Sequence, residues 1–137
     1  MGDIDLDPAS SEVANEVVGA YRYYTAADDG LTKPWQGRVW MNPPYAQPFI
    51  AQFAERLVET FTSGEVIEAV VLVNNATETA WFSRMHAEAS AVCWPRGRIK
   101  FWHPDKESAP LQGQAILYLG PNPNMFVEEF QQFGVTR

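Results

Sequence analysis

The segment Asn42, Pro43, Pro44 and Tyr45 is the part of this sequence best suited to chemistry. Asn42 carries a side-chain carbonyl and Pro43 a main-chain carbonyl, so together they can accept hydrogen bonds from both N–H groups of a planar amine. An amine held in this way keeps its lone pair directed at an electrophile. The prolines restrict the backbone and hold both acceptors in place. Tyr45 offers a flat face on which an extruded base can stack.

The alternative interpretation of this tetrapeptide is a rigid turn, because Asn and Pro are common turn residues. The segments on either side of the tetrapeptide favour a functional role over a plain turn. It follows a short β-type run at 38–41, and two adjacent prolines must lie at a strand end because they cannot continue a sheet. An apolar stripe of helical period follows, starting at Pro48 and ending at Gly64. We therefore expect the tetrapeptide between a strand and a helix.

Strands alternate with helices along the rest of the chain. The remaining predicted elements are strands at 3–7, 21–25, 69–73, 91–94, 98–103 and 114–119, and helices at 12–20, 80–89 and 126–133. This order predicts an α/β fold with a mainly parallel sheet. The last two strands have no helix between them, which predicts an antiparallel hairpin at one edge. Ligands of such sheets bind beyond the carboxyl ends of the strands, where residues 7–10 and 42–45 both fall.

Acidic residues near the first two predicted strands are candidate contacts for a cofactor. Asp5 and Asp7 alternate with apolar residues, so both carboxylates should face the same way and could meet an amino group or a ribose. A solvated strand end is the alternative. Asp28 and Asp29 follow the second predicted strand and could bind ribose hydroxyls, although a plain acidic loop fits the sequence equally well.

Two further groups are candidate contacts for a nucleic-acid substrate. Asn74 and Asn75 follow a buried apolar strand and either line a base pocket or cap the next helix. Arg96, Arg98 and Lys100 form the densest basic run, and their alternation puts them on one face of a strand. They either contact phosphates or form a solvated edge.

Composition narrows the classes of protein that fit. A chain of 137 residues corresponds to one domain. With one cysteine, Cys93, and two histidines, the sequence offers neither a disulfide framework nor a histidine-built metal centre. No apolar run approaches the roughly 20 residues of a membrane span, and no signal peptide is recognisable, so we expect a cytoplasmic protein. The net charge of −7 is unfavourable for a nucleic-acid enzyme, although an acidic protein with one basic run can still bind DNA weakly or transiently.

The sequence resembles the phage-type DNA N-6-adenine-methyltransferase (Dam) family nearly from end to end. The matching stretches are I-D-L-D-P-A-S at 4–10, D-G-L at 29–31, W-Q-G-R-V-W-M-N-P-P-Y at 35–45, V-N-N-A-T at 73–77, W-F at 81–82, G-R-I-K-F at 97–101 and G-Q-A-I-L-Y-L-G at 113–120. This combination is far more specific than the tetrapeptide alone.

The resemblance implies a compact class I S-adenosylmethionine-dependent methyltransferase (Rossmann-like) fold. It implies S-adenosylmethionine as methyl donor, adenine N6 in double-stranded DNA as acceptor, and residues 42–45 as the catalytic motif. The cofactor turn would be formed by Asp5, Asp7, Pro8, Ala9 and Ser10. A phage- or prophage-encoded protein in a bacterial cytoplasm is expected, with no metal and with a homodimer as a further expectation.

Two departures from the family pattern keep alternatives open. Such methyltransferases usually have a glycine-rich turn after the first strand, whereas this turn contains no glycine, and the single predicted domain is short at its N-terminus. The alternative to an enzyme is a catalytically inactive, shortened methyltransferase-fold protein that binds DNA or a partner. A further alternative keeps the enzyme but changes its substrate to RNA or to a protein glutamine, because residues 42–45 can hold any planar amide or amine.

Overall fold

The computed structural model describes residues 3–25, 27–44, 46–74, 76–96 and 113–137. The strands in these ranges are β1 (Leu6–Asp7), β2 (Arg22–Tyr23), β3 (Gly37–Met41), β4 (Val66–Asn74), β5 (Ala91–Pro95), β6 (Gln114–Leu119) and β7 (Gly134–Thr136). The helices are α1 (Glu12–Val18), α2 (Phe49–Thr62), α3 (Ala80–Glu88) and α4 (Pro123–Phe130), with a 3-10 helix at Gly30–Thr32.

The described strands form one seven-stranded sheet in the order β2-β1-β3-β4-β6-β5-β7. Strands β1 to β5 share one direction, while β6 and β7 run against them. Because β6 lies between β4 and β5, three pairings are parallel and three are antiparallel. The prediction of a mainly parallel sheet is therefore wrong, because only half of these strand pairings are parallel. The structure is a mixed α/β fold that is consistent with a Rossmann-like fold.

The predicted hairpin at the edge is also wrong, because β6 is an interior strand that is paired on both sides. Its predicted partner at 98–103 lies outside the described residues. The edge is instead formed by the antiparallel pair of β5 and β7, and β7 was not predicted. Helix α4 begins earlier than predicted because Pro123 occupies its first turn. Helix α1 ends at Gly19, which adopts a left-handed conformation with φ of 69°.

Helices α2 and α3 cover one face of the sheet. The apolar stripe of α2 is buried there through Ile50, Phe53 and Leu57, and Phe82 and Met85 continue this core from α3. Each such side chain contributes about 1.5–3 kcal/mol when fully buried. A second apolar cluster on the opposite face packs under α4. The two cores hold the strand ends that carry the candidate site.

A buried carboxylate links neighbouring strands on the face of the sheet that α4 covers. Glu68, which is 2% exposed, accepts hydrogen bonds from Arg38 Nε (3.0 Å) and from the Tyr118 hydroxyl. The Tyr118 oxygen also accepts the Asn122 N–H at 3.1 Å. Burial, together with Glu68, raises the pKa of Tyr118 to about 12, so the hydroxyl remains a donor. The network ties β3, β4 and β6 together. Among the described residues, no helix is long and apolar enough to cross a membrane.

Candidate active site

A cavity of about 600 Å³ opens at the carboxyl ends of the parallel strands. It is lined by the segments that follow β1, β2 and β3 and by the start of α2, namely Pro8, Ala9, Ser10, Thr25, Asp29, Gly30, Leu31, Asn42, Pro43, Pro44, Phe49 and Phe53. A volume of this size is in the range of small-molecule sites. The structure thus brings together the turn after the first strand and the Asn-Pro-Pro segment, as expected for parallel strands that end at one edge.

The turn after β1 is held by a carboxylate instead of a glycine-rich backbone. Asp7 is 2% exposed, and its Oδ1 accepts the Ala9 N–H at 3.2 Å. The Ser10 N–H donates to the Tyr24 carbonyl oxygen at 2.9 Å, which fastens the turn to the chain just beyond β2. Pro8 is buried, while Ala9 and Ser10 are partly exposed and line the cavity.

The buried carboxyl of Asp7 predicts a specific dependence of stability on pH. Burial raises the pKa of Asp7 from its usual 3.8 to about 6, and hydrogen bonds from Ala9 and Ser10 oppose part of that rise. Between about pH 4 and pH 6 the folded state therefore binds more protons than the unfolded state, and the free energy of unfolding falls as pH rises. The full loss is about 3 kcal/mol, from a difference of about 2 pKa units, and it is complete only about one pH unit above the folded-state pKa.

Urea unfolding of the wild type and of Asp7→Asn at pH 4, 5, 6 and 7 measures this effect. The variant does not titrate, so the wild type should lose about 2 kcal/mol relative to it across this range. Other carboxylates cancel in the difference. Two stability profiles that run parallel would contradict the raised pKa.

The segment after β2 forms the wall of the cavity that faces the turn after β1. A side chain on Gly30 would overlap the Pro8 carbonyl oxygen, so the close approach requires glycine there. Trp35, which is fully buried, donates from Nε1 to the Gly30 carbonyl oxygen at 2.8 Å. Its ring centroid lies 5.9 Å from that of Phe53. Trp35 therefore pins the wall between the turn and α2. Trp35 was given no role from the sequence alone, although it begins the stretch at 35–45 that resembles the family.

The two acidic residues of this wall have different surroundings. The Asp28 carboxylate accepts the Thr25 N–H at 2.8 Å and the Thr25 hydroxyl at 3.0 Å, and these bonds lower its pKa. Asp28 thus closes its own turn. Asp29 is exposed, has a left-handed backbone with φ of 52°, and lines the cavity. It is the carboxylate of the pair that is placed to meet a ligand.

The Asn-Pro-Pro segment continues directly from β3. Asn42 is half-buried, Pro43 is buried and Pro44 is exposed, and all three line the cavity beside Phe49 and Phe53 of α2. Met41, the last residue of β3, is fully buried and anchors the segment in the core. Tyr45 lies outside the described residues.

Asp5 is not brought into the cavity. Its Oδ2 accepts the Arg38 N–H at 2.8 Å and contacts Gly37, at the amino end of β3. The alternation with Asp7 suggested a shared face for the two carboxylates. However, only Asp7 lies at the carboxyl end of β1. Asp5 precedes this strand and therefore lies nearer the amino ends of the parallel strands.

Two of the candidate DNA contacts, Asn74 and Arg96, lie at the carboxyl ends of parallel strands but outside the cavity. Asn74 is the last residue of β4 and is half-buried. Arg96 follows β5 and is exposed, with Nη2 donating to the Gln132 carbonyl oxygen at 2.5 Å. The remaining candidates, Asn75, Arg98 and Lys100, lie outside the described residues. No group of three or more metal-binding side chains occurs in the part of the chain that the structure describes.

A mixed α/β sheet whose parallel strands end at a ligand-sized cavity is consistent with the Rossmann-like class of ligand-binding proteins. Within that class, the family model described as DNA N-6-adenine-methyltransferase (Dam) matches residues 1–121, and the chain belongs to this family. The resemblance drawn from the sequence is thereby confirmed. Comparison with curated proteins gives no match.

Proposed function

We propose that this chain is a DNA adenine-N6 methyltransferase with a class I methyltransferase fold, which transfers a methyl group from S-adenosylmethionine to an adenine extruded from double-stranded DNA. One observation carries the proposal: Asn42, Pro43 and Pro44 share a single cavity with the turns after β1 and β2. A cofactor and an acceptor amine could therefore meet there. Membership of a family of DNA adenine methyltransferases supports the choice of acceptor.

The part of the cavity between residues 8–10 and 29–31 fits the cofactor. The exposed carboxylate of Asp29 can accept hydrogen bonds from ribose hydroxyls, and Leu31 and Phe53 offer apolar contact to a purine ring. The buried carboxylate of Asp7 holds the turn by accepting the Ala9 N–H, so we assign Asp7 a positioning role. Bound S-adenosylmethionine would supply an electrophilic methyl group on a sulfonium centre.

The Asn-Pro-Pro segment provides the acceptors for the amine. The Asn42 side-chain oxygen and the Pro43 carbonyl oxygen would each accept one N–H of the adenine amine, which directs the nitrogen lone pair away from the protein and toward the methyl carbon. The rigid backbone fixes these acceptors before the substrate arrives, so the gain comes from preorganisation and positioning. Stacking of the extruded base on Tyr45 remains a prediction from the sequence.

Contacts with the duplex are proposed along the same sheet edge. Asn74 and Arg96 lie at this edge, and Asn75, Arg98 and Lys100 keep their predicted roles as base and phosphate contacts. With a net charge of −7, the chain should bind DNA weakly and lose that binding steeply with salt. A homodimer would enlarge the contact area. We further propose a phage or prophage origin and a bacterial cytoplasmic location.

Transfer of labelled methyl groups from S-adenosylmethionine to unmethylated duplex DNA tests the proposal, with RNA and a glutamine-containing protein as competitors. The label should enter DNA, and neither competitor should reduce it. Label in RNA or protein would move the function to that substrate. No transfer, together with no cofactor binding by calorimetry, would contradict the enzymatic function and support a catalytically inactive DNA- or partner-binding protein.

A further inference from the structure

A second, smaller groove lies between α3 and β5. Its volume is about 300 Å³, and it is lined by Thr77, Phe82, Ser83, His86, Ala87 and Trp94. It shares no lining residue with the candidate active-site cavity. It begins near the carboxyl end of β4, three residues after Asn74, and its far wall is the strand that leads to Arg96. The groove therefore lies near the end of the sheet that carries Asn74 and Arg96, two of the proposed DNA contacts.

Three flat rings of this groove are close to parallel. The His86 ring lies 5.9 Å from the Phe82 ring with an interplanar angle of 18°, and the Trp94 ring lies 6.4 Å from Phe82 at 30°. Phe82 is buried and belongs to the core, whereas His86 is exposed and Trp94 is half-buried. Flat, partly exposed rings at the walls of a groove can stack on a planar aromatic ligand, and every nucleobase has such a face.

Both acidic and basic residues flank this groove: Glu78 and Glu88 adjoin its lining residues along the chain, and Arg84 Nη1 lies 3.9 Å from a Glu88 carboxylate oxygen. None of the six lining residues is acidic. Arg96 lies two residues beyond Trp94 and is held through the bond from Nη2 to the Gln132 carbonyl oxygen. A guanidinium carries five N–H donors, so the same side chain can also meet a phosphate. Aromatic rings that stack on bases, with an arginine close along the chain to contact the backbone, are the combination that binds unstacked bases.

We propose that this groove binds an unstacked base of the DNA strand that carries the target adenine, with Arg96 on an adjacent phosphate. This inference rests on the proposed function. Strands β4 and β6 separate β3 from β5, which puts the groove about 14 Å from the Asn-Pro-Pro segment at the usual spacing of strands. It therefore receives a neighbouring base and leaves the target base to the main cavity.

The variant Ala87→Trp fills the groove without removing core atoms, because Ala87 is exposed on α3. We expect it to raise the Kd for a labelled single-stranded oligonucleotide, measured by fluorescence anisotropy, about tenfold, as for the loss of one base–aromatic stack. The Kd for S-adenosylmethionine should not change. The control is Asn124→Trp, an equally bulky change in the first turn of α4, at the amino ends of the parallel strands. It should leave the Kd for the oligonucleotide and the Kd for S-adenosylmethionine unchanged.

Photocrosslinking of the wild type provides a readout that does not depend on a variant. An oligonucleotide that carries 5-iodouracil at successive positions beside the target adenine should crosslink to the peptide that contains Trp94. An unchanged Kd for Ala87→Trp, or crosslinks that never reach this peptide, would overturn the inference while methyl transfer to DNA persists. Absence of both DNA binding and methyl transfer in the wild type would instead overturn the proposed function, and this inference with it.

Discussion

Replacing Asn42 with alanine should lower kcat for methyl transfer by about 10²–10³-fold, the usual cost of removing one preorganised polar group that acts in the transition state. In the proposed mechanism the side-chain oxygen would accept one N–H of the amine, so without it the lone pair would no longer be held toward the methyl carbon. The Kd for S-adenosylmethionine should change little, because the proposed cofactor contacts come from the segments after β1 and β2. Single-turnover transfer of labelled methyl, together with calorimetry, measures both quantities.

Asn42→Asp is the matched control for this prediction. Aspartate keeps an oxygen acceptor on a side chain of the same length, so it should retain more activity than alanine does. Asn42 is half-buried at the end of β3, and unfolding curves of both variants will show whether the local fold survives. Equal activity of the wild type and Asn42→Ala would contradict the assigned role.

Replacing Trp35 with alanine should lower the free energy of unfolding by about 3–5 kcal/mol, because the side chain is fully buried and its removal leaves a large cavity. Trp35→Phe separates packing from hydrogen bonding. Phenylalanine keeps one ring against Phe53 but cannot donate to the Gly30 carbonyl oxygen, which costs about 1–3 kcal/mol if that oxygen remains unsatisfied.

The same pair of variants tests the function of the wall at 29–31. If Trp35 positions this wall, then Trp35→Phe should weaken S-adenosylmethionine binding several-fold while the folded protein still transfers methyl at saturating cofactor. Urea unfolding gives the stability, and calorimetry with steady-state kinetics separates KM from kcat. A variant that loses stability but binds the cofactor like the wild type would show that Trp35 supports the core alone.

The sequence predicted how several segments of the candidate site are arranged because the determining features are local. The prolines at 43 and 44 exclude a strand, so the end of β3 could be predicted without knowledge of the fold. The alternation of strands and helices then predicted that the turn after β1 and residues 42–44 would meet at one sheet edge. The structure brings them into one cavity.

What the sequence did not predict depends on contacts between distant segments. The position of β6 between β4 and β5 follows from pairing partners that periodicity does not encode. Alternation could predict the face of the strand on which Asp5 lies. It could not predict that the Asp5 carboxylate would accept the Arg38 N–H at the amino end of β3. The role of Trp35 likewise depends on a bond to Gly30 inside a segment that composition describes only as a loop.

The position of the transferred methyl group is the most direct test of the central claim. Duplex DNA incubated with the protein and S-adenosylmethionine would be digested to nucleosides and analysed by mass spectrometry, with the Asn42→Ala protein in parallel. We predict N6-methyladenine as the product of the wild type and its near absence with the variant. Methylation at another atom, or equal N6-methyladenine from both proteins, would contradict the assignment of Asn42 and Pro43 as the acceptors that hold the adenine amine.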